Sequence, residues 1–181
     1  MTTPIYILGG YQTDFARNYA REGLSIFDLL KDGVEGTLAA ANLDPKEIEV
    51  AHVGNFVGEL FTGQGMLGGF LGHVHPELAG VPASRHEGAC ASGSLAALAA
   101  MADLEAGRYD CALVLGIEFM RNVPGQLAGD HLGAAVWVGK EAEQATYVWP
   151  ALFSELAQEY HERHGLKHGH QKVSYTYFQP K

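Results

Sequence analysis

The chain has 181 residues, 47% hydrophobic and 18% charged, the balance of a globular domain long enough to bury its own core. A net charge of −9 excludes nucleic acid and anionic membrane surfaces as main partners, because both need a basic face. No apolar run reaches the roughly 18 residues of a spanning helix, and the stretch before Gly10 is too short and uncharged for a secretory signal.

In chain order, Pro4 to Leu8 reads as a short buried strand that ends at Gly9-Gly10. Ile26, Leu29, Leu30, Val34 and Leu38 fall at helical spacing, with Ser25 as N-cap and Asp28 in the first turn. Asn42 to Pro45 stops that helix, and Asp44-Pro45-Lys46-Glu47 starts a further helical turn. Val50 to Val57 predicts a second strand. The glycine-rich stretch Gly58 to Gly72 is predicted as partly helical, and Val81 to Ala89 as a third extended segment. Ala91 to Ala106 is small and apolar on almost every side, which predicts a helix buried on almost every side and ended by Gly107. Cys111 to Ile117 is continuously apolar, as in the middle of a covered sheet. Alternating strands and helices predict an α/β layered fold with helices on both faces. From Asn122 onward glycines and Pro124 break the pattern. Phe153 to His164 then reads as helix, with Phe153, Leu156, Ala157 and Tyr160 on one face. A His-rich tail follows Gly165. A boundary between a core domain (1–121) and a loop domain with its tail (122–181) is therefore expected.

Chemistry concentrates at His86-Glu87-Gly88-Ala89-Cys90-Ala91-Ser92-Gly93-Ser94. Cys90 falls between a strand and a helix. Unpaired N–H groups and the helix dipole favour negative charge there, hence the thiolate nucleophile and an acyl oxyanion. Small neighbours leave room for a substrate. The alternative on this local pattern is a structural cysteine in a small-residue helix. Cys111, in an apolar strand, reads as a small hydrophobe. Both cysteines are expected as free thiols in a reducing compartment.

The Ala89-Cys90-Ala91-Ser92-Gly93-Ser94 stretch resembles the nucleophile motif of thiolases, most closely the subgroup of sterol-carrier-protein thiolases and acetyl-CoA acetyltransferases. The flanks are similar too: Ile7 to Arg17, Ser25 to Ile48, His52 to Gly58 and Ala99 to Glu118, with Pro124 to His164 resembling the start of the family's loop domain. The likeness implies the N-terminal half of a thiolase-like layered fold, with a mixed sheet between helices and five αβαβα layers in the complete enzyme. It implies an acyltransferase that uses acyl-CoA thioesters, of acetyl-CoA acetyltransferase or β-ketoacyl-CoA thiolase type. Cys90 would carry the acyl group and its N–H would help form an oxyanion hole. The coenzyme A thioester would be a substrate, with no tightly bound cofactor and no metal. The resemblance also implies a homodimer through Pro82 to Glu87 and a cytoplasmic location, or a peroxisomal one in a eukaryote.

Thiolases are longer, and their second half carries an Asn-Glu, a Gly-His-Pro and a Cys-x-Gly motif that complete catalysis. None of the three is found here. Gly72-His73-Val74-His75-Pro76 is only superficially like the second and lies before Cys90. The expectation is a fragment, a truncated product or one half of a split enzyme, weak or inactive alone and completed by a second subunit. A non-catalytic, partner-binding half is one alternative. A cysteine hydrolase is another: Gly88-x-Cys90-x-Ser92 has the outline of a nucleophile elbow, with Asp130 and His161 as its later acid and base. Gly63-Gln64-Gly65-Met66-Leu67-Gly68 fits a dinucleotide fingerprint in outline, but its glycines lie too far past the preceding strand. His161, His164, His168 and His170 have no regular ligand spacing. His52 and His86 are left unassigned.

Overall fold

The computed structural model describes residues 4–143 and 145–165. Its first compact unit ends at Asn122 and its second begins at Val123.

In the first unit, α1 (Ile26–Ala41) opens with its cap in place: Ser25 N–H and Oγ both donate to Asp28 Oδ2 at 2.7 Å. Asn42 closes it in the left-handed conformation, and Asp44 Oδ1 then accepts from Lys46 N–H at 3.1 Å to start the next turn. Ile26, Leu30, Val34 and Leu38 form the buried stripe that the spacing predicts. Strand β1 (Val50–Gly54) follows, then the short helices α2 (Gly58–Thr62) and α3 (Leu71–Val74), strand β2 (Ala83–His86), helix α4 (Ser92–Glu105) and strand β3 (Ala112–Gly116).

The sheet has the order β2–β1–β3, and both pairings are parallel. Each crossover carries a helix, as parallel pairing demands. The α/β class holds, but among the described residues the sheet is parallel rather than mixed. Pro4 to Leu8 joins no ladder; Ile7 is 95% exposed. With that segment unpaired, β3 is an edge strand and not the middle of a sheet.

Helices cover both faces. Ala51, Val53 and Leu113 turn toward α1 and pack with Leu67, Leu71 and Leu78. Helix α4 lies on the other face, against β1 and β3. There the backbones almost touch: a Cβ on Gly54 would sit 2.7 Å from Gly93 Cα. Helix α4 ends where expected, with Gly107 at φ +66°. It is not buried on every side. Only Ser92, Ala96 and Ala100 are buried, while Leu95, Leu98 and Met101 are exposed. The sheet covers one stripe of small residues and leaves Leu95, Leu98 and Met101 outside it.

In the second unit, α5 (Gly125–Leu132) and α6 (Val148–His164) are held by Trp149 Nε1, which donates to Leu132 O at 3.0 Å, and by Gln126 Nε2, which donates to Thr146 O at 2.7 Å. Phe153, Leu156 and Tyr160 of α6 are exposed. The tail beyond Gly165, with His168 and His170, lies outside the described residues.

Gly54→Ala is expected to destabilise the chain by about 1–3 kcal/mol, because backbone on the far side of the contact cannot yield as a side chain would. Urea unfolding followed by circular dichroism measures it.

Candidate active site

Parallel pairing brings the carboxyl ends of the three strands to one edge, where Gly54 stands opposite His86 and Gly116. In open α/β sheets this is the edge where ligands bind. The chain leaves β2 there, makes a single helical turn at Ala89–Ala91 and enters α4. Cys90 sits in that turn and is exposed. Three local bonds shape it. Glu87 Oε1 accepts from Ala89 N–H at 2.6 Å. Ser92 Oγ accepts from Gly88 N–H at 3.1 Å and donates to Ala89 O at 2.7 Å. Ala89 has φ +49°, a left-handed conformation that costs an alanine about 1–2 kcal/mol. A strained strand–turn–helix junction of this kind lifts a nucleophile clear of the sheet.

On the face beneath α4, His52 and His86 come together. In register, His52 stands opposite Ser84. His52 Nδ1 lies 3.0 Å from His86 Nε2 and 3.2 Å from Ser84 Oγ, and Ser84 Oγ lies 2.9 Å from His86 Nε2. The two facing ring nitrogens have room for one shared proton. His52 is 4% exposed. Its Nε2 lies 3.2 Å from Asp103 Oδ2 but is not aligned for a hydrogen bond. Asp103 also faces Arg108 at 3.3 Å. Burial, and then the neighbouring His86, lower the His52 pKa; the Asp103 carboxylate opposes them.

A second buried network ties the strand ends together. Asn55, 1% exposed, donates through Nδ2 to Ile117 O at 2.8 Å and to Glu118 Oε1 at 2.9 Å. Its Oδ1 accepts from Gly58 N–H at 3.2 Å, and its own N–H donates to His86 O at 3.1 Å. Glu118 Oε1 also accepts from Phe56 N–H, while its Oε2 is buried with no hydrogen-bond partner among the described residues. Burial raises the Glu118 carboxyl above its usual range, although the backbone donors at Phe56 and Val57 oppose the shift.

The other candidates separate cleanly. Cys111 is a half-buried free thiol, raised above its ordinary pKa by burial and then by Glu47 and Glu49. In the glycine fingerprint, α2 intervenes between β1 and Gly63, so the glycines are not in a strand-to-helix turn. Gly68 instead packs where a Cβ would meet Ala83 Cβ at 2.5 Å. Asp130 lies on α5, where Oδ1 accepts from Gln126 Nε2 at 3.0 Å; His161 and His164 lie on α6. Among the described residues no group of three or more His, Cys, Asp or Glu is placed to hold a metal ion, and no helix is long and apolar enough to cross a membrane. A cavity of about 520 Å³ lies between the 11–20 segment, α1 and β3, and Cys90 does not line it.

The family profile described as "Thiolase, N-terminal domain" matches residues 5–166. The acetyl-CoA acetyltransferase of Methanocaldococcus jannaschii is 32% identical over 164 residues, which cover 90% of this chain and 40% of that protein. A second acetyl-CoA acetyltransferase, from Methanothermobacter thermautotrophicus, is 26% identical over 165 residues, 91% of this chain and 40% of the relative. Sterol carrier protein 2 of Gallus gallus is 27% identical over 175 residues, 91% of this chain and 30% of the relative. The chain thus spans two-fifths or less of the length of these relatives.

The His52 environment predicts a pH dependence of stability. A histidine whose folded pKa is lowered holds fewer protons folded than unfolded, so it contributes stability above its unfolded pKa, near 6.5, that is lost as pH falls below it. Urea midpoints for the wild type are expected to drop from pH 8 to pH 5, with a smaller drop in His52→Gln.

Proposed function

The chain belongs to the thiolase family, and from that premise and the turn at Cys90 we propose that it accepts an acyl group from an acyl-CoA thioester. The Cys90 thiolate attacks the thioester carbonyl. The new carbon–sulfur bond forms at Sγ, the bond to the coenzyme A sulfur breaks, and coenzyme A leaves with the proton released from Cys90. The observation that carries this reading is an exposed cysteine in the first turn before a 14-residue helix, at the carboxyl edge of a parallel sheet. Helix-start N–H groups there can stabilise the oxygen of the tetrahedral intermediate without reorganising. The acetyl-CoA acetyltransferase names of two relatives support the substrate class. Small residues around the thiol (Gly88, Ala89, Ala91 and Gly93) leave it open to a bulky thioester.

The full reaction needs more than a nucleophile. Carbon–carbon bond formation requires a base for the donor carbon and a holder for the enolate. In our reading these come from chain corresponding to the remainder of the relatives' length. The exposed Leu95, Leu98 and Met101 of α4 support a covering partner of that kind. The free edge of β2, in the segment Pro82 to Glu87, is where a second copy would pair.

Incubation with acetyl-CoA followed by intact-mass measurement tests the proposal. An acetyl adduct is expected on the wild type and is lost in Cys90→Ala but kept in Cys111→Ala. Free acetate produced without an adduct would instead favour a hydrolase. No adduct, with Cys90 no more reactive than Cys111, would leave a non-catalytic partner subunit.

A further inference from the structure

We propose that Glu118 is a positioning residue for Cys90, acting through Asn55 and the carbonyl of His86; this rests on the acyl-transfer reading of Cys90. Glu118 Oε1 accepts from Asn55 Nδ2 and from Phe56 N–H. Asn55 N–H donates to His86 O, which ends β2. From His86 the chain passes through Glu87, whose carboxylate accepts from Ala89 N–H, directly into the turn that holds Cys90.

The same asparagine reaches Ile117 O, so one buried residue connects the carboxyl ends of all three strands, through its side-chain amide to the end of β3 and through its backbone N–H to the end of β2. Glu118 fixes which way that side chain points. An Asn amide has two donors and one acceptor oxygen. Here the donors face Ile117 O and Glu118, and the oxygen faces Gly58 N–H. Without the Glu118 acceptor, one Asn55 N–H and the Phe56 N–H lose partners in a buried place, and the turn between β1 and α2 is free to move. His86 O moves with it, and so does the start of the Cys90 turn. A displacement of about 1 Å at a reacting group costs on the order of a hundredfold in rate.

The test compares Glu118→Ala, Glu118→Asp and Glu118→Gln. Acetyl loading of Cys90 from acetyl-CoA is expected to fall roughly tenfold or more in Glu118→Ala and to recover in Glu118→Gln, whose amide oxygen can accept both hydrogen bonds. Glu118→Asp keeps the charge but draws the oxygen back by one methylene, and is expected to lose loading while remaining folded. Iodoacetamide labelling of Cys111 in the same molecules reports global unfolding and should not change. Backbone amide resonances of residues 86–90 report the position of the turn whether or not acetyl-CoA reacts. They should shift in Glu118→Ala and Glu118→Asp and return in Glu118→Gln. If wild-type Cys90 takes no acetyl group, the acyl-transfer reading fails and the resonances still decide the linkage. Unchanged resonances at 86–90 in both the alanine and aspartate variants overturn the proposal. So does a loss in Glu118→Gln as severe as in Glu118→Ala.

Discussion

Everything at the carboxyl edge depends on the meeting of two backbones, at Gly54 on β1 and Gly93 on α4. With no Cβ on Gly54, the helix start descends onto the sheet until main chain touches main chain. That contact sets the height of α4 and therefore the place where the turn before it must rise from β2. The buried stripe Ser92, Ala96 and Ala100 continues the same close approach along the helix. Ser92 belongs to both systems: its backbone lies in the packed stripe and its hydroxyl fastens Gly88 and Ala89.

The two polar networks divide the labour around this contact. Asn55 and Glu118 join the strand ends, at the top of the sheet. The pair His52 and His86 joins β1 to β2 under α4, with Asp103 reaching down from the helix. Buried polar groups of this kind contribute little net stability, but they penalise any other arrangement. They suit a site where the direction of one short turn matters more than the depth of the core. The core itself lies on the opposite face, where α1 packs onto Val53 and Leu113.

Local features were legible in the sequence because their causes are local. The Ser25 and Asp28 cap, the α1 stripe and the stop at Asn42 each follow from residues a few positions apart. Cys90 at a strand-to-helix turn was legible for the same reason. Pro4 to Leu8 has the composition of a strand, but a strand also needs a neighbour, and composition does not name one. In α4 nearly uniform apolarity specified no face, so the exposure of Leu98 was hidden. His52 and His86 are 34 residues apart and meet only through parallel register. Glu118 has a local signal of its own: a carboxylate directly after an apolar strand is either at the surface or held, and here it is held.

Ala89 gives the site a further property. A glycine would adopt φ +49° freely; an alanine does so only because Glu87, Ser92 and the helix behind it hold the turn on both sides. The turn is thus wound like a spring whose catch is made of three local hydrogen bonds. Relaxing it with glycine would stabilise the local backbone and enlarge the set of directions in which the thiol can point, exchanging aim for ease.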